Sequence, residues 1–159
     1  MVVYLERKVN MDFGVLLGLA YNQFVTELHD YLAERGFTHL RPAFGFALKV
    51  LAVRPMTTSQ LAARLEITPQ GAAKTVEEMV AAGFVERVSD PADGRVKMLH
   101  LTERARALLA AGHDFHVDFE RRLSAESGEA AIGALREVLT AVVARSDSPE
   151  GLARTLRQL

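Results

Sequence analysis

Thr68, Gln70, Gly71 and Lys74 lie close together in the chain, and Arg95 and Lys97 follow a turn cluster, Asp90-Pro91-Ala92-Asp93-Gly94. The chemistry these residue types offer is recognition. An amide can pair bidentately with adenine in a major groove, an amine can take guanine or phosphate, and a glycine lets a backbone come close. A guanidinium at a hairpin tip suits a narrow A·T-rich minor groove. Bond-making chemistry has little to stand on. The chain has no cysteine, no glycine-rich phosphate loop and no Gly-x-Ser-x-Gly elbow, and its acids and histidines form no base, nucleophile and oxyanion-donor set. The expectation is a protein that is not an enzyme.

These residues need particular elements to position them. Thr57-Thr58-Ser59-Gln60 fits a capping box, and Leu61, Ala62 and Leu65 mark the short helix behind it. Thr68-Pro69-Gln70 is an N-cap residue followed by proline at the first helical position, so a second helix is expected from there to about Ala82, ending at Gly83. Ala72, Val76, Met79 and Val80 project to one side of it, and Gln70, Gly71 and Lys74 to the other. A tight turn between two such helices reads as helix-turn-helix. Phe84–Val88 and Val96–Leu101 alternate as strands, and the Asp-Gly between them signals a hairpin, or wing.

Long helices flank this middle. From Met11 to about Arg35, Phe13, Leu17, Ala20, Phe24, Leu28, Tyr31 and Leu32 share one helical face, with Asn10 as N-cap and Gly36 as stop. A helix over about Arg41–Ala52, with Pro42 in its first turn, buries Phe44, Ala47, Leu48 and Leu51. Helical periodicity returns over Thr102–Leu123 and Glu126–Ala144, interrupted at Ser124–Gly128, and a short helical tail follows Ser146-Asp147-Ser148-Pro149. A first helix of about 24 residues is ~36 Å long, more than a small middle domain can cover, so part of its apolar face should meet another subunit.

Leu61-Ala62-Ala63-Arg64-Leu65, Ile67-Thr68-Pro69-Gln70, Gly83-Phe84-Val85-Glu86-Arg87, the wing from Asp90 to Lys97 and Leu101-Thr102-Glu103 together resemble the multiple-antibiotic-resistance regulator (MarR) family of winged-helix transcription factors. The Asp-x-Arg-x-Lys wing followed by Leu-Thr-Glu is the discriminating part. The resemblance implies a mainly α fold with a small β-hairpin wing. Residues 1–53 and 107–159 would supply dimerisation helices around a winged helix-turn-helix at 54–106. It implies a homodimer, usually a repressor, that places a recognition helix in each major groove of a pseudo-palindromic operator in double-stranded DNA. It also implies release by a small aromatic or anionic ligand held between the dimerisation helices and the winged module. By position, Thr68, Gln70, Gly71, Lys74, Arg95 and Lys97 would contact DNA, with Asp93 as the ion partner that holds the wing arginine. Ala105 stands where many relatives have glycine, and Gly71 and Ala73 stand where base-touching side chains are common, so operator choice should lean on DNA shape.

Other candidates have plainer readings. Arg64 and Arg87 suit a surface ion pair as well as a phosphate contact. Tyr21, Phe24, Phe44 and Phe46 can line a ligand cleft, although their spacing first makes them core or dimer-interface residues. His113 and His116, near Asp114, Asp118 and Glu120, could share a helix face as zinc ligands in a metal-sensing regulator; the preferred reading is a polar helix face, with no metal and no cofactor. The acidic pair Glu77-Glu78 motivates an alternative in which the module binds protein. The 159 residues carry 19 Lys+Arg against 20 Asp+Glu, and the middle segment is barely basic, with 8 against 7. Affinity for DNA should therefore rest on a few placed contacts. The longest uncharged stretch, Phe13–Thr26, is too short for a membrane span, and Met1–Lys8 is the reverse of a secretory signal, so a cytoplasmic address without membrane partners is expected.

Overall fold

A computed structural model describes residues 11–38 and 40–145. Its compact units divide between Thr38 and His39. The expected cap Asn10 and the expected tail after Ser146 lie outside the described residues. In the first unit α1 spans Phe13–Ala33, with Asp12 in the N-cap position making no side-chain cap bond. It closes in a Schellman turn: Phe37 N–H donates to Leu32 O at 3.0 Å and Gly36 N–H to Ala33 O at 2.9 Å. Gly36 takes the φ of +83° that this turn requires. Leu32 and Phe37, which the turn brings together, are the buried residues of this unit.

The second unit begins with α2 (Pro42–Val53), α3 (Thr58–Leu65) and α4 (Pro69–Ala81). Strands β1 (Val85–Ser89) and β2 (Lys97–Leu101), then α5 (Glu103–Ser127) and α6 (Glu129–Val143), complete it. The expected stripe of α2, Phe44, Ala47, Leu48 and Leu51, is buried. The helix packs with α3, α4, β2 and α5, which places it in one unit with the winged module. Leu61 and Leu65 of α3, Val76 and Met79 of α4, and Phe84, Leu99 and Leu108 fill the same core, which among the described residues contains no buried polar side chain.

The local signals account for most helix ends. The Thr57 hydroxyl accepts from Gln60 N–H at 3.2 Å, and Gln60 Oε1 accepts from Thr57 N–H at 2.9 Å, forming the expected capping box. α3 and α4 both end in Schellman turns, with Glu66 at φ +51° and Gly83 at φ +75° in the left-handed position. β1 and β2 pair antiparallel in the register Val85↔Leu101 to Ser89↔Lys97. Both strands begin one residue later than the alternation suggests. Phe84 N–H is taken by Met79 O in the turn closing α4, and Val96 N–H by Asp93 O inside the wing. One pairing has no signal in the sequence: Leu99 N–H donates to Met56 O at 2.8 Å, tying the segment before α3 to the outer side of β2.

The expected interruption at Ser124–Gly128 narrows to one residue. α5 continues through Ser127, and the chain breaks only at Gly128, at φ +87°. Serine, alanine and glutamate are tolerated in a helix, whereas Gly128 adopts a backbone conformation that a side chain would strain. α5 is therefore about 37 Å long, yet its buried residues, Ala105, Leu108 and Phe115, all lie in its first half. α6 turns back along the rest and buries none of its own side chains.

Candidate nucleic-acid interface

The site begins at Thr68. Its hydroxyl accepts from Gly71 N–H at 3.1 Å and caps α4, and Pro69 occupies the first turn, where its missing N–H costs nothing. A Cβ on Gly71 would sit 3.2 Å from that hydroxyl oxygen. A side chain at this position would crowd the cap, a local reason for glycine beside the close approach of the protein backbone expected from sequence. Thr75 Oγ1 donates to Gly71 O at 3.0 Å in the next turn. Gln70 and Lys74 are exposed on the first two turns, while Ala72, Val76 and Met79 are buried on the opposite side. The capped helix end adds a partial positive charge on the side that presents them.

Glu78, one half of the acidic pair, is bound to Arg41 at the head of α2, Nη1 to Oε1 3.1 Å. That contact ties the recognition helix to α2 and removes part of the negative charge that motivates a protein partner. Neither Arg64 nor Arg87 has an ion pair among the described residues.

The wing tip is organised by two aspartates. Asp90 N–H donates to Val96 O at 3.0 Å, and the Asp90 carboxylate accepts from Ala92 N–H at 2.7 Å. Asp93 Oδ1 accepts both the backbone N–H of Arg95, at 3.0 Å, and its Nε, at 3.2 Å. These bonds from Arg95 hold the Asp93 carboxyl below the usual carboxylate range. The Arg95 side chain is 92% exposed, so Asp93 orients a guanidinium that keeps most of its donors open to solvent. Lys97 Nζ donates to Ser89 Oγ at 2.6 Å across the hairpin.

The ligand and metal candidates fare differently. Phe44 is a core residue, 3% exposed and edge-on to Phe84 with ring centroids 6.2 Å apart; a ring so placed cannot face a ligand without opening the core. Tyr21 is exposed and Phe24 half-buried on α1. His116 is held below its ordinary pKa, first by partial burial of the ring, then by the positive charge of Lys49 and by His113. A neighbouring ammonium disfavours a bound cation, and among the described residues no three His, Asp or Glu side chains come together as a metal site.

The periodicity of α5 and α6 taken separately does not reveal the groove between them. It has a volume of about 480 Å³ and is lined by Phe119, Leu123, Ile132, Leu135, Leu139 and Val143, with Glu120 and Arg136 joined by an ion pair at its edge. The signal available in the sequence was the run of apolar residues at helical spacing beyond a glycine.

A protein-family model described as the MarR family matches residues 46–96. The uncharacterized protein Rv2011c of Mycobacterium tuberculosis is 30% identical over 96 residues, which is 60% of this chain and 67% of that protein. Uncharacterized protein Mb2034c of Mycobacterium bovis matches to the same extent. In fold the chain is similar to RV1404 from M. tuberculosis, with a TM-score of 0.71 at 20% identity over 89% of this chain and 99% of that one. It is also similar to YusO from Bacillus subtilis, with a TM-score of 0.67 at 17% identity over 85% and 94%. A variant of S. aureus MepR bound to an oligodeoxyribonucleotide gives 0.61 at 17% identity over 85% and 98%.

Proposed function

The chain belongs to the MarR family of winged-helix, DNA-binding transcriptional regulators, which are not enzymes, and from that premise we propose that it is a homodimeric, ligand-responsive repressor working in the cytoplasm. One observation carries the DNA contacts. A side-chain-capped α4 exposes Gln70 and Lys74 without a carboxylate partner, and the wing exposes an Arg95 oriented by Asp93. Thr68, Gln70, Gly71 and Lys74 enter the major groove, and Arg95 and Lys97 meet the flanking minor groove and phosphates. The MepR variant with the same fold is bound to DNA, which supports this use of the module.

Two subunits are needed because one capped helix reads too little sequence to choose an operator, and a pseudo-palindrome doubles each contact. The exposed apolar residues of α1, among them Phe13, Leu16 and Leu19, and of α6, Val138, Val142 and Val143, support dimerisation through these helices. A small aromatic or anionic ligand would act by binding better to a dimer whose recognition helices no longer match successive major grooves. Tyr21 and Phe24 are the residues of α1 offered to it.

An electrophoretic shift on the DNA flanking its own gene tests the reading. Arg95→Ala is expected to weaken binding on all sequences and to lower the slope of log K against log salt by about two for the dimer, one phosphate-type contact per subunit. Gln70→Ala is expected to relax base preference at one position in each half-site. Absence of a salt-sensitive shift on any fragment would leave the protein-interaction module as the better reading.

A further inference from the structure

We propose that Thr102 is a positioning residue for DNA binding, one hydroxyl that joins the end of the recognition helix to the start of α5. The proposal rests on reading the chain as a DNA-binding regulator. The Thr102 hydroxyl donates to Gly83 O at 2.6 Å and accepts from Ala105 N–H at 3.3 Å. Thr102 N–H also donates to Phe84 O at 3.1 Å. Gly83 is the left-handed residue that closes α4, and its own N–H is held by Val80 O. The carbonyl just beyond the recognition helix is thus bonded to the N-cap of α5, although the two residues are 19 positions apart.

The surroundings leave this joint little play. Phe84 is 2% exposed, with Phe44 of α2 edge-on to its ring and the Arg104 guanidinium 5.2 Å from its centroid. A Cβ on Gly83 would lie 3.7 Å from Arg104 Cδ. Residues of α2, the end of α4 and the start of α5 therefore meet around Gly83-Phe84, and the Thr102 hydroxyl, together with its backbone N–H, bridges the latter two. A hydroxyl is suited to this because it donates and accepts at once from a short side chain; a carboxylate only accepts, and valine does neither. α5 leads to the exposed apolar face of α6, so the angle held at Thr102 carries the dimer geometry to the recognition helices.

The substitutions separate the cap from the bridge. Thr102→Ser keeps both, Thr102→Asp keeps a good helix cap but loses the donor to Gly83, and Thr102→Val loses both. The full-length proteins are compared on a genomic DNA fragment that the wild type shifts. Binding by Thr102→Ser should stay within about twofold of wild type, Thr102→Asp should bind about 5- to 25-fold more weakly, one lost hydrogen bond in each subunit, and Thr102→Val, which loses two, at least as weakly, with an unchanged salt slope. Because the chain has no cysteine, spin labels on Glu77→Cys and Ala110→Cys, with labelled subunits diluted in unlabelled ones, report the α4 to α5 distance. That distribution should broaden in the Asp and Val proteins and stay narrow in the Ser protein.

Equal affinity and equally narrow distributions in all three would overturn the proposal. So would weaker binding that only follows the folded fraction, or failure of both the Asp and Val proteins to fold, since Thr102 would then be a folding residue. If the wild type bound no DNA, the regulator reading would fail, while the label distances would still judge the joint.

Discussion

Between Phe44 and Leu108 the chain turns most of its large apolar side chains inward, and between Glu129 and Val143 it leaves most of them outside. In the winged module Leu48, Leu61, Met79, Phe84 and Leu99 are less than 3% exposed, whereas in α6 Leu135, Val138, Leu139, Val142 and Val143 are between 39% and 57% exposed. Both stretches are amphipathic. The module folds short elements around one another and so closes its own core, while α6, among the described residues, packs chiefly on α5 and leaves the rest of its apolar face exposed. The difference separates a part that one chain completes from a part that we assign to the dimer.

The largest expected effect breaks that contrast at its open side. Leu139→Asp places a carboxylate on the exposed face of α6, which should give monomers in sedimentation and weaken operator binding by about 100-fold or more, because the second half-site no longer binds as part of the same molecule. A dimer that survives this change would remove α6 from the interface. Next comes the closed side. Leu48→Ala in α2, at a fully buried position, should cost about 2–5 kcal/mol in urea unfolding; a loss below about 1 kcal/mol would mean that the module core is not self-sufficient.

A smaller effect sharpens the reading of the recognition helix. Thr68→Ala removes the cap and should cost about 1 kcal/mol. Gly71→Ala should destabilise the wild type but not the Thr68→Ala protein, where the crowded hydroxyl is gone and alanine is the better helix former. Equal effects in both backgrounds would refute the idea that Gly71 exists for the cap. The smallest effect lies in the pH dependence. The lowered pKa of His116 means that the unfolded chain takes up its proton first, so stability is complete above about 6.5 and declines as pH falls from there through the lower folded value. His116→Gln should flatten that decline in thermal melts taken across mildly acidic pH.

Most of the helix-turn-helix was legible because its signals are local. The Thr57 and Gln60 reciprocal bonds, the Thr68 cap and the stops at Gly36 and Gly83 all join residues within about one or two helical turns. The Asp93 to Arg95 contact is legible for the same reason, two residues apart on a turn. The break at Gly128 was visible as a glycine, but the helical course of Ser124–Ser127 was not, because those residue types are nearly neutral between helix and loop.

What the sequence by itself determined is most of the elements, the caps at Thr57 and Thr68 and the buried faces of α2 and α4, since these follow from side-chain chemistry at fixed short spacings. Only the tertiary structure decided that Met56 pairs with Leu99, that Arg41 takes up Glu78, that Phe44 is held in the core by Phe84, and that Thr102 meets Gly83. Each of these joins residues far apart along the chain. No local propensity chooses such a partner; it is chosen by the packing of buried faces, which brings distant backbone and side-chain groups within reach of one another.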